Sequence, residues 1–405
     1  MSSTVLFVDD EEEVLAGLRL SLRRHRNDYR FLFASSADDA IAMLDAEPVD
    51  MVVSDMRMPD RNGADLLEEV RFRHPDVIRY VLSGQAGDRL VGRSVAVTHR
   101  WLSKPCDSAV LIAAIAEATG HRAEILDEQV RRAVGAVDAL PSHPTVHAKL
   151  LAEFDGGDAS VERVAELAAG DPAFTVKLLQ WANSAYASDE PIYDVRRAVE
   201  RIGLDALGPL AQANDIVRPF TSSEVIPGFG IDLFHRHARA TSAIAAGLTV
   251  PTQADLAAAG GLLSNVGLLV EVSHLRSRLD QAYRLAETGH LVLHRSEQAT
   301  FGTSGTELAS HLLALWGLPG ILVGIVGESH GLPDLDSAFP LSPINAVRAA
   351  RLLAQRLPLA KAIGGPHLEP VDDAIDEVLD RWVAELRQPV RELITDPSLN
   401  GTANR

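Results

Sequence analysis

Five short β-type runs, each followed by an amphipathic helical stretch, fill the first 120 residues, and no such run returns after residue 107. The β-type runs cover 4–8, 29–34, 50–54, 77–82 and roughly 98–102, and most stop at a polar residue. The helical stretches lie near 11–24, 37–46, 62–73, 86–95 and 107–119. Five βα units in succession predict an α/β fold: a doubly wound, five-stranded parallel sheet with helices on both faces. In such a sheet ligands sit outside the carboxyl ends of the strands, so the residues just after each run carry the functional expectation.

Beyond that point the pattern is helical. Periodicity continues through 109–119 and 124–137, until Leu140-Pro141-Ser142-His143-Pro144 interrupts it. This predicts an α/β domain over 1–120, a helical linker over 121–139, and a separate all-α domain over 140–335. A C-terminal helical extension over 336–405 completes the division. Asp171-Pro172 reads as a helix start, with a capping carboxylate before a proline whose missing N–H is harmless in the first turn. Phe174, Leu178, Leu179 and Ala182 then fall on one face. Further helices are expected near 160–169, 194–213, 234–247, 253–272, 277–288, 304–315, 319–329, 343–357 and 372–394.

Charge and composition narrow the function. The net charge is −18, divided as −5 over residues 1–122 and −13 over 123–405, so neither part offers the basic surface that phosphate neutralisation requires. No nucleic-acid partner is expected. No membrane partner is expected either, since the apolar runs around 260–272 and 317–326 fall short of the ~20 residues of a membrane helix. The N-terminus lacks the basic leader of a signal peptide. A single cysteine, Cys106, excludes an internal disulfide framework and fits a reducing cytoplasm.

Four features fall at the strand ends. Asp9 and Asp10 follow the first run, Asp55 the third and Ser83 the fourth, and Lys104-Pro105 lies just past the fifth. Taken singly, each has an ordinary reading. Asp10 before three glutamates suits a helix N-terminus, Asp55 and Ser83-Gly84 suit turns, and Lys104 suits a solvated surface. At one sheet edge, however, clustered carboxylates need a neutralising cation. Hard Mg²⁺ suits two carboxylates, a backbone carbonyl and waters, and a phosphoryl donor can then modify one carboxylate.

The segments Val5-Leu6-Phe7-Val8-Asp9-Asp10-Glu11, Val52-Val53-Ser54-Asp55-Met56-Arg57-Met58-Pro59, Asn62-Gly63, Leu82-Ser83-Gly84 and Trp101-Leu102-Ser103-Lys104-Pro105 together resemble the receiver domain of two-component response regulators. That family has a flavodoxin-like fold, and the resemblance covers roughly residues 3–120. It implies Asp55 as phospho-acceptor and Asp10 as a direct Mg²⁺ ligand. Asp9 would act through water or as a second ligand, and the backbone carbonyl of Arg57 would complete the set. Ser83 becomes the switch hydroxyl, Lys104 the phosphate partner and Trp101 the aromatic switch, a position where the family usually has Tyr or Phe. A core-packing role without switching is open for Trp101. The resemblance also implies a cis Lys104–Pro105 bond. Cys106 takes no role.

Leu140-Pro141-Ser142-His143-Pro144, the helix from Asp171-Pro172 through Asn183-Ser184, and Ala198-Val199-Glu200-Arg201-Ile202-Gly203-Leu204 are similar to the HDOD domain, an all-helical relative of the HD phosphohydrolases. The active relatives hold their metal with histidines and an adjacent His-Asp pair. Here Ser264 and Asn265 stand where that pair belongs, and neutral Ser and Asn replace an imidazole and a carboxylate poorly. His235 or His237 matches an upstream ligand position, and His330 lies in a segment like a later one. Without the pair, these histidines are expected to be structural. Asn183-Ser184 is expected to close a helix. No catalytic residue is expected in this domain.

The sequence thus implies a cytoplasmic response regulator, phosphorylated on Asp55 by a sensor histidine kinase with Mg²⁺ as cofactor. Its HDOD output would act on an unidentified downstream protein, with homodimerisation left open. The alternative is an HD-type metal-dependent phosphodiesterase or phosphohydrolase controlled by a receiver.

Overall fold

The computed structural model describes residues 3–84, 97–184, 190–212, 216–221, 226–357 and 370–395. Five parallel strands, β1 (Ser3–Val8), β2 (Tyr29–Ala34), β3 (Met51–Asp55), β4 (Ile78–Ser83) and β5 (Arg100–Ser103), form one sheet in the order β2-β1-β3-β4-β5. Every residue of β3 and β4 is buried, as expected of central strands covered on both faces. The strand ends agree with the sequence to within two residues.

Helices α1 (Glu12–Ser21), α2 (Ala37–Ala46), α3 (Gly63–Arg73) and α4 (Ser108–Glu124) occupy the expected stretches. Local chemistry sets their starts: Ser36 accepts from the Asp39 amide, Asn62 from that of Asp65, and Asp107 from that of Ala109. The helix expected near 86–95 lies outside the described residues. The stretch 121–139 is not one helix. Helix α4 ends at extended Ile125, and Asp127 caps a second helix, α5 (Glu128–Gly135).

The remainder is helical apart from one short parallel pair, β6 (Pro141–Ser142) with β7 (Arg218–Pro219), which the sequence pattern did not indicate. Helix α6 (Pro144–Asp155) begins on the proline read as a breaker, because proline at the first turn starts a helix as readily as it ends one. Then follow α7 (Val161–Ala169), α8 (Pro172–Ser184), α9 (Val195–Ile202) and α10 (Leu204–Gln212). Gly203 divides the expected 194–213 helix by adopting a left-handed φ of 84°. Helices α11 (Ile231–Leu248), α12 (Ala254–Leu263), α13 (Gly267–His274) and α14 (Arg276–Gly289) continue the chain. They are followed by α15 (Leu293–Phe301), α16 (Gly305–Leu315), α17 (Gly320–Gly327), α18 (Pro343–Ala354), α19 (Asp373–Glu385) and α20 (Gln388–Thr395).

Pro251–His274 is long and apolar enough by composition to cross a membrane, contrary to the sequence reading, but 83% of its most apolar window is buried inside the protein. The stretch is also divided between α12 and α13.

The helical region packs directly on the sheet. Strand β5 is an edge strand, and α8 covers it: the Gln180 side-chain amide donates to the backbone carbonyl of His99 at 2.7 Å. Lys177, one turn earlier, is buried, donates to the Asp138 carbonyl at 2.7 Å, and sits over the Trp316 ring at 4.5 Å. Arg79, fully buried in β4, donates to the Val97 and Gly135 carbonyls at 2.7 and 2.8 Å. Burial lowers the Arg79 pKa to about 10, and the nearby carboxylate of Asp138 opposes that shift. Together these groups join sheet, linker and helical region through buried polar bonds.

Candidate functional site

At the carboxyl ends of the parallel strands, three charged side chains from different strands converge. The Lys104 ammonium, just past β5, donates to Asp9 Oδ2 at 2.7 Å and also to Asp55 Oδ1. Asp9 follows β1 and is buried, and Asp55 ends β3. The other Asp55 oxygen accepts from the Arg57 amide at 2.6 Å, and the other Asp9 oxygen from the Glu11 amide at 3.0 Å. Burial works against the ammonium, but its bonds to Asp55 and Asp9 outweigh that cost and raise the Lys104 pKa.

Two backbone features fix this arrangement. The Lys104 amide donates to the carbonyl of buried Ser83 at 2.8 Å, so Lys104 is tied to Ser83 just past the Ser83–Ser103 pair that ends the β4–β5 ladder. The Gly63 amide donates to the Met56 carbonyl at 3.0 Å, folding the β3–α3 loop back under the site. A Cβ at Gly63 would collide with the Asp55 carbonyl, so the close approach requires glycine there. The Lys104–Pro105 bond is cis.

The donor set fits a hard cation. Asp9 and Asp55 already share one positive charge, that of Lys104, and exposed Asp10 stands beside Asp9 at the same strand end. Receiver domains as a class bind Mg²⁺ for phosphorylation. Trp101 is buried in β5, opposite Val81, and its indole N–H has no hydrogen-bond partner among the described residues.

Among the described residues, the histidines matched to the hydrolase ligands form no group of three His, Cys, Asp or Glu donors at metal-ligand spacing. Ser264 is buried and donates to the Gly261 carbonyl at 2.9 Å, so its hydroxyl closes the end of α12. Asn265 is half-buried in the turn that follows. His235 faces Asp171 at 3.6 Å, whereas burial pushes His237 down to about 4, with the charge of Arg351 adding to the effect. His330 lies 2.5 Å from an Arg351 guanidinium nitrogen, and a second one donates to the Ser329 carbonyl at 2.6 Å. A fixed cation therefore stands against His330 and acts electrostatically on His237.

Asn183 ends α8 as a polar clamp. Its side chain donates to the Leu179 and Ile192 carbonyls at 2.8 and 2.9 Å and accepts from the Ile192 amide at 2.9 Å.

Sequence reasoning missed Arg79, His99, Lys177 and Gln180. Arg79 gave a signal: an arginine inside a strand otherwise made of buried residues. Lys177 and Gln180 gave none, because polar residues on a helix opposite an apolar face read as solvated.

The sequence matches the response regulator receiver domain family over residues 5–116 and the HDOD domain family over residues 140–332. Among curated relatives, the hydrogenase transcriptional regulatory protein HoxA of Cupriavidus necator is 39% identical over 105 residues, covering 25% of this chain and 21% of HoxA. The transcriptional regulatory protein GlrR of Escherichia coli is 30% identical over 155 residues, covering 37% of this chain and 34% of GlrR. The chain thus spans about a fifth and about a third of the length of these two relatives. Among solved structures, the MmoQ response regulator of Methylococcus capsulatus aligns with a TM-score of 0.47 at 23% identity, covering 60% of this chain and 91% of that one. The chain joins an N-terminal response regulator receiver domain to a C-terminal HDOD domain.

Proposed function

We propose that this protein is a two-component response regulator that accepts a phosphoryl group on Asp55 and signals through a non-catalytic HDOD domain by protein–protein contacts. The observation that carries this reading is the convergence of Asp9, Asp55 and Lys104 at the strand ends, with Ser83 held beside them. A receiver domain implies a histidine kinase as phosphoryl source. The N–P bond of a phosphohistidine breaks as an Asp55 carboxylate oxygen forms its bond to phosphorus. Asp9, Asp10, Asp55 and the Arg57 carbonyl would hold Mg²⁺, which when bound neutralises charge on the phosphoryl oxygens.

The chain's own groups do the rest. Lys104, which spans the Asp9 and Asp55 carboxylates, passes from Asp55 to a phosphoryl oxygen. Ser83 donates its hydroxyl to another. Charge-assisted hydrogen bonds of this kind contribute roughly 1.5–3 kcal/mol each, enough to shift a poised equilibrium but not to refold a domain. Movement of Lys104 and Ser83 acts on β5, which carries Trp101 and is entered at His99, the acceptor of the Gln180 bond. The HDOD domain thereby senses the receiver directly as well as through 121–139.

Ser264 and Asn265 in place of the metal-binding pair, and the Arg351 cation beside His330, support an output without hydrolase chemistry. The single cysteine suits a cytoplasmic setting.

The test uses full-length protein with acetyl phosphate and Mg²⁺. One phosphoryl group per chain is expected by intact mass, and none on Asp55→Ala. Wild-type uptake by Asp55→Ala would refute the assignment. Metal-dependent hydrolysis of cyclic dinucleotides that is lost on His237→Ala would refute the non-catalytic output.

A further inference from the structure

Away from the acidic site, two imidazoles and a carboxylate meet at the seam between receiver and HDOD domains. His121 and Glu124 come from the last turn of α4, three residues apart and so on one face. His311 comes from α16, across the seam. Nδ1 of His121 stands 3.3 Å from Nδ1 of His311, with the rings edge to face. Glu124 Oε2 lies 3.5 Å from the first nitrogen and 3.8 Å from the second.

These three edges have the dimensions of a coordination shell. Two donor atoms that are each about 2.0–2.1 Å from a tetrahedral zinc stand roughly 3.3–3.4 Å apart. The triangle therefore approximates one face of such a tetrahedron before any ion enters. A hydrogen bond between two imidazoles uses one lone pair, whereas a cation engages both and the carboxylate as well. Glu124 is 67% exposed, which gives an ion access from solvent. Two arginines line the same cleft, but Arg122 is paired with Asp50 and Asp76, and Arg131 donates to the Ile125 and Leu126 carbonyls.

We propose that His121, Glu124 and His311 form an interdomain site for a borderline divalent transition cation, with zinc as the ion whose tetrahedral shell matches and water in the fourth position. Two imidazoles and one carboxylate suit such an ion and not Mg²⁺, which takes oxygen ligands. Because the ligands come from opposite sides of the seam, a bound ion tethers α4 to α16. Any event that separates these helices must release it, and the ion must oppose that separation to the same degree.

The experiment titrates Zn²⁺ into untagged full-length protein by calorimetry, with Mg²⁺ in excess to occupy the strand-end carboxylates. One equivalent is expected, with a zinc-dependent rise in melting temperature. His121→Gln and His311→Gln should each weaken binding at least about ten-fold, and Glu124→Gln less. Should buried His311→Gln fail to fold by circular dichroism, the more exposed His121→Gln and Glu124→Gln still decide. Wild-type affinity in His121→Gln, no loss of affinity in the His121→Gln/Glu124→Gln double variant, or no zinc bound by wild type at micromolar concentrations would each overturn the proposal.

Discussion

The side-chain amide of Gln180 in the HDOD domain donates a 2.7 Å hydrogen bond to the backbone carbonyl of His99, two residues before Trp101 in the receiver. Both groups are buried, so the carbonyl cannot turn to water when the amide is removed. An unpaired buried acceptor costs about 1–3 kcal/mol. Gln180→Leu, which keeps most of the volume, should lower the urea midpoint accordingly and speed amide exchange in 100–103. An unchanged midpoint and exchange rate would show that this bond does not couple the domains.

Lys104 competes with any metal for the carboxylates of Asp9 and Asp55, because its ammonium already spans them. Lys104→Met should therefore strengthen Mg²⁺ binding several-fold while impairing the response to phosphorylation. Asp10→Ala should weaken Mg²⁺ binding, since it removes a charge and a proposed ligand. Calorimetric titration with Mg²⁺ reads both. Weaker binding by Lys104→Met would mean that the lysine organises the carboxylates more than it competes for them.

Gly63 offers a structural test of the same site. A methyl at this position meets the Asp55 carbonyl, and backbone gives way less readily than a flexible side chain. Gly63→Ala should displace the β3–α3 loop, costing on the order of 1–3 kcal/mol as overpacking does, and should slow phosphoryl uptake. Urea unfolding and intact-mass kinetics check the two effects separately. Wild-type behaviour in both would show that the loop relaxes freely.

The legible and illegible parts of this chain divide along a physical line. Strands β1, β3 and β4 were readable because central strands are largely apolar and stop at the polar residues that carry the chemistry, and edge strands β2 and β5 followed from the regular βα alternation. The meeting of Asp9, Asp55 and Lys104 followed from topology alone, since parallel strands bring their carboxyl ends to one edge. Contacts between the domains had no comparable signal. Lys177 and Gln180 are polar residues on an amphipathic helix, and only the packing of α8 against the receiver edge, the Asp138 carbonyl and Trp316 removes them from water. Tertiary context likewise decided that Pro144 opens α6 and that Gly203 divides α9 from α10.

A buried pair of glutamates gives the HDOD domain its own pH dependence. Glu271 in α13 and Glu297 in α15 both lie against Gly305 at the start of α16. Glu297 accepts from the Gly305 amide at 2.7 Å, while neither oxygen of Glu271 has a hydrogen-bond partner among the described residues. Burial, reinforced by the neighbouring charge of Glu297, raises the Glu271 pKa well above the ordinary carboxylate range. Burial also moves Glu297 up to about 7, although the Gly305 amide opposes it. Both groups thus bind a proton more tightly folded than unfolded. Their contribution is fully present below the unfolded pKa, near 4.5, and is lost progressively as pH rises from there through the folded values, about 7 for Glu297. Buried His237, lowered to about 4, has the opposite effect and destabilises the fold as pH falls below its unfolded value of 6.5. The difference between wild type and Glu271→Gln isolates the glutamate contribution. The variant should be more stable than wild type at pH 8, by up to a few kcal/mol, with the advantage shrinking toward pH 5, where the wild-type carboxyl is protonated. Urea unfolding across that range measures the difference. An advantage that is constant with pH, or that grows toward acid, would mean that Glu271 is ionised in the folded protein.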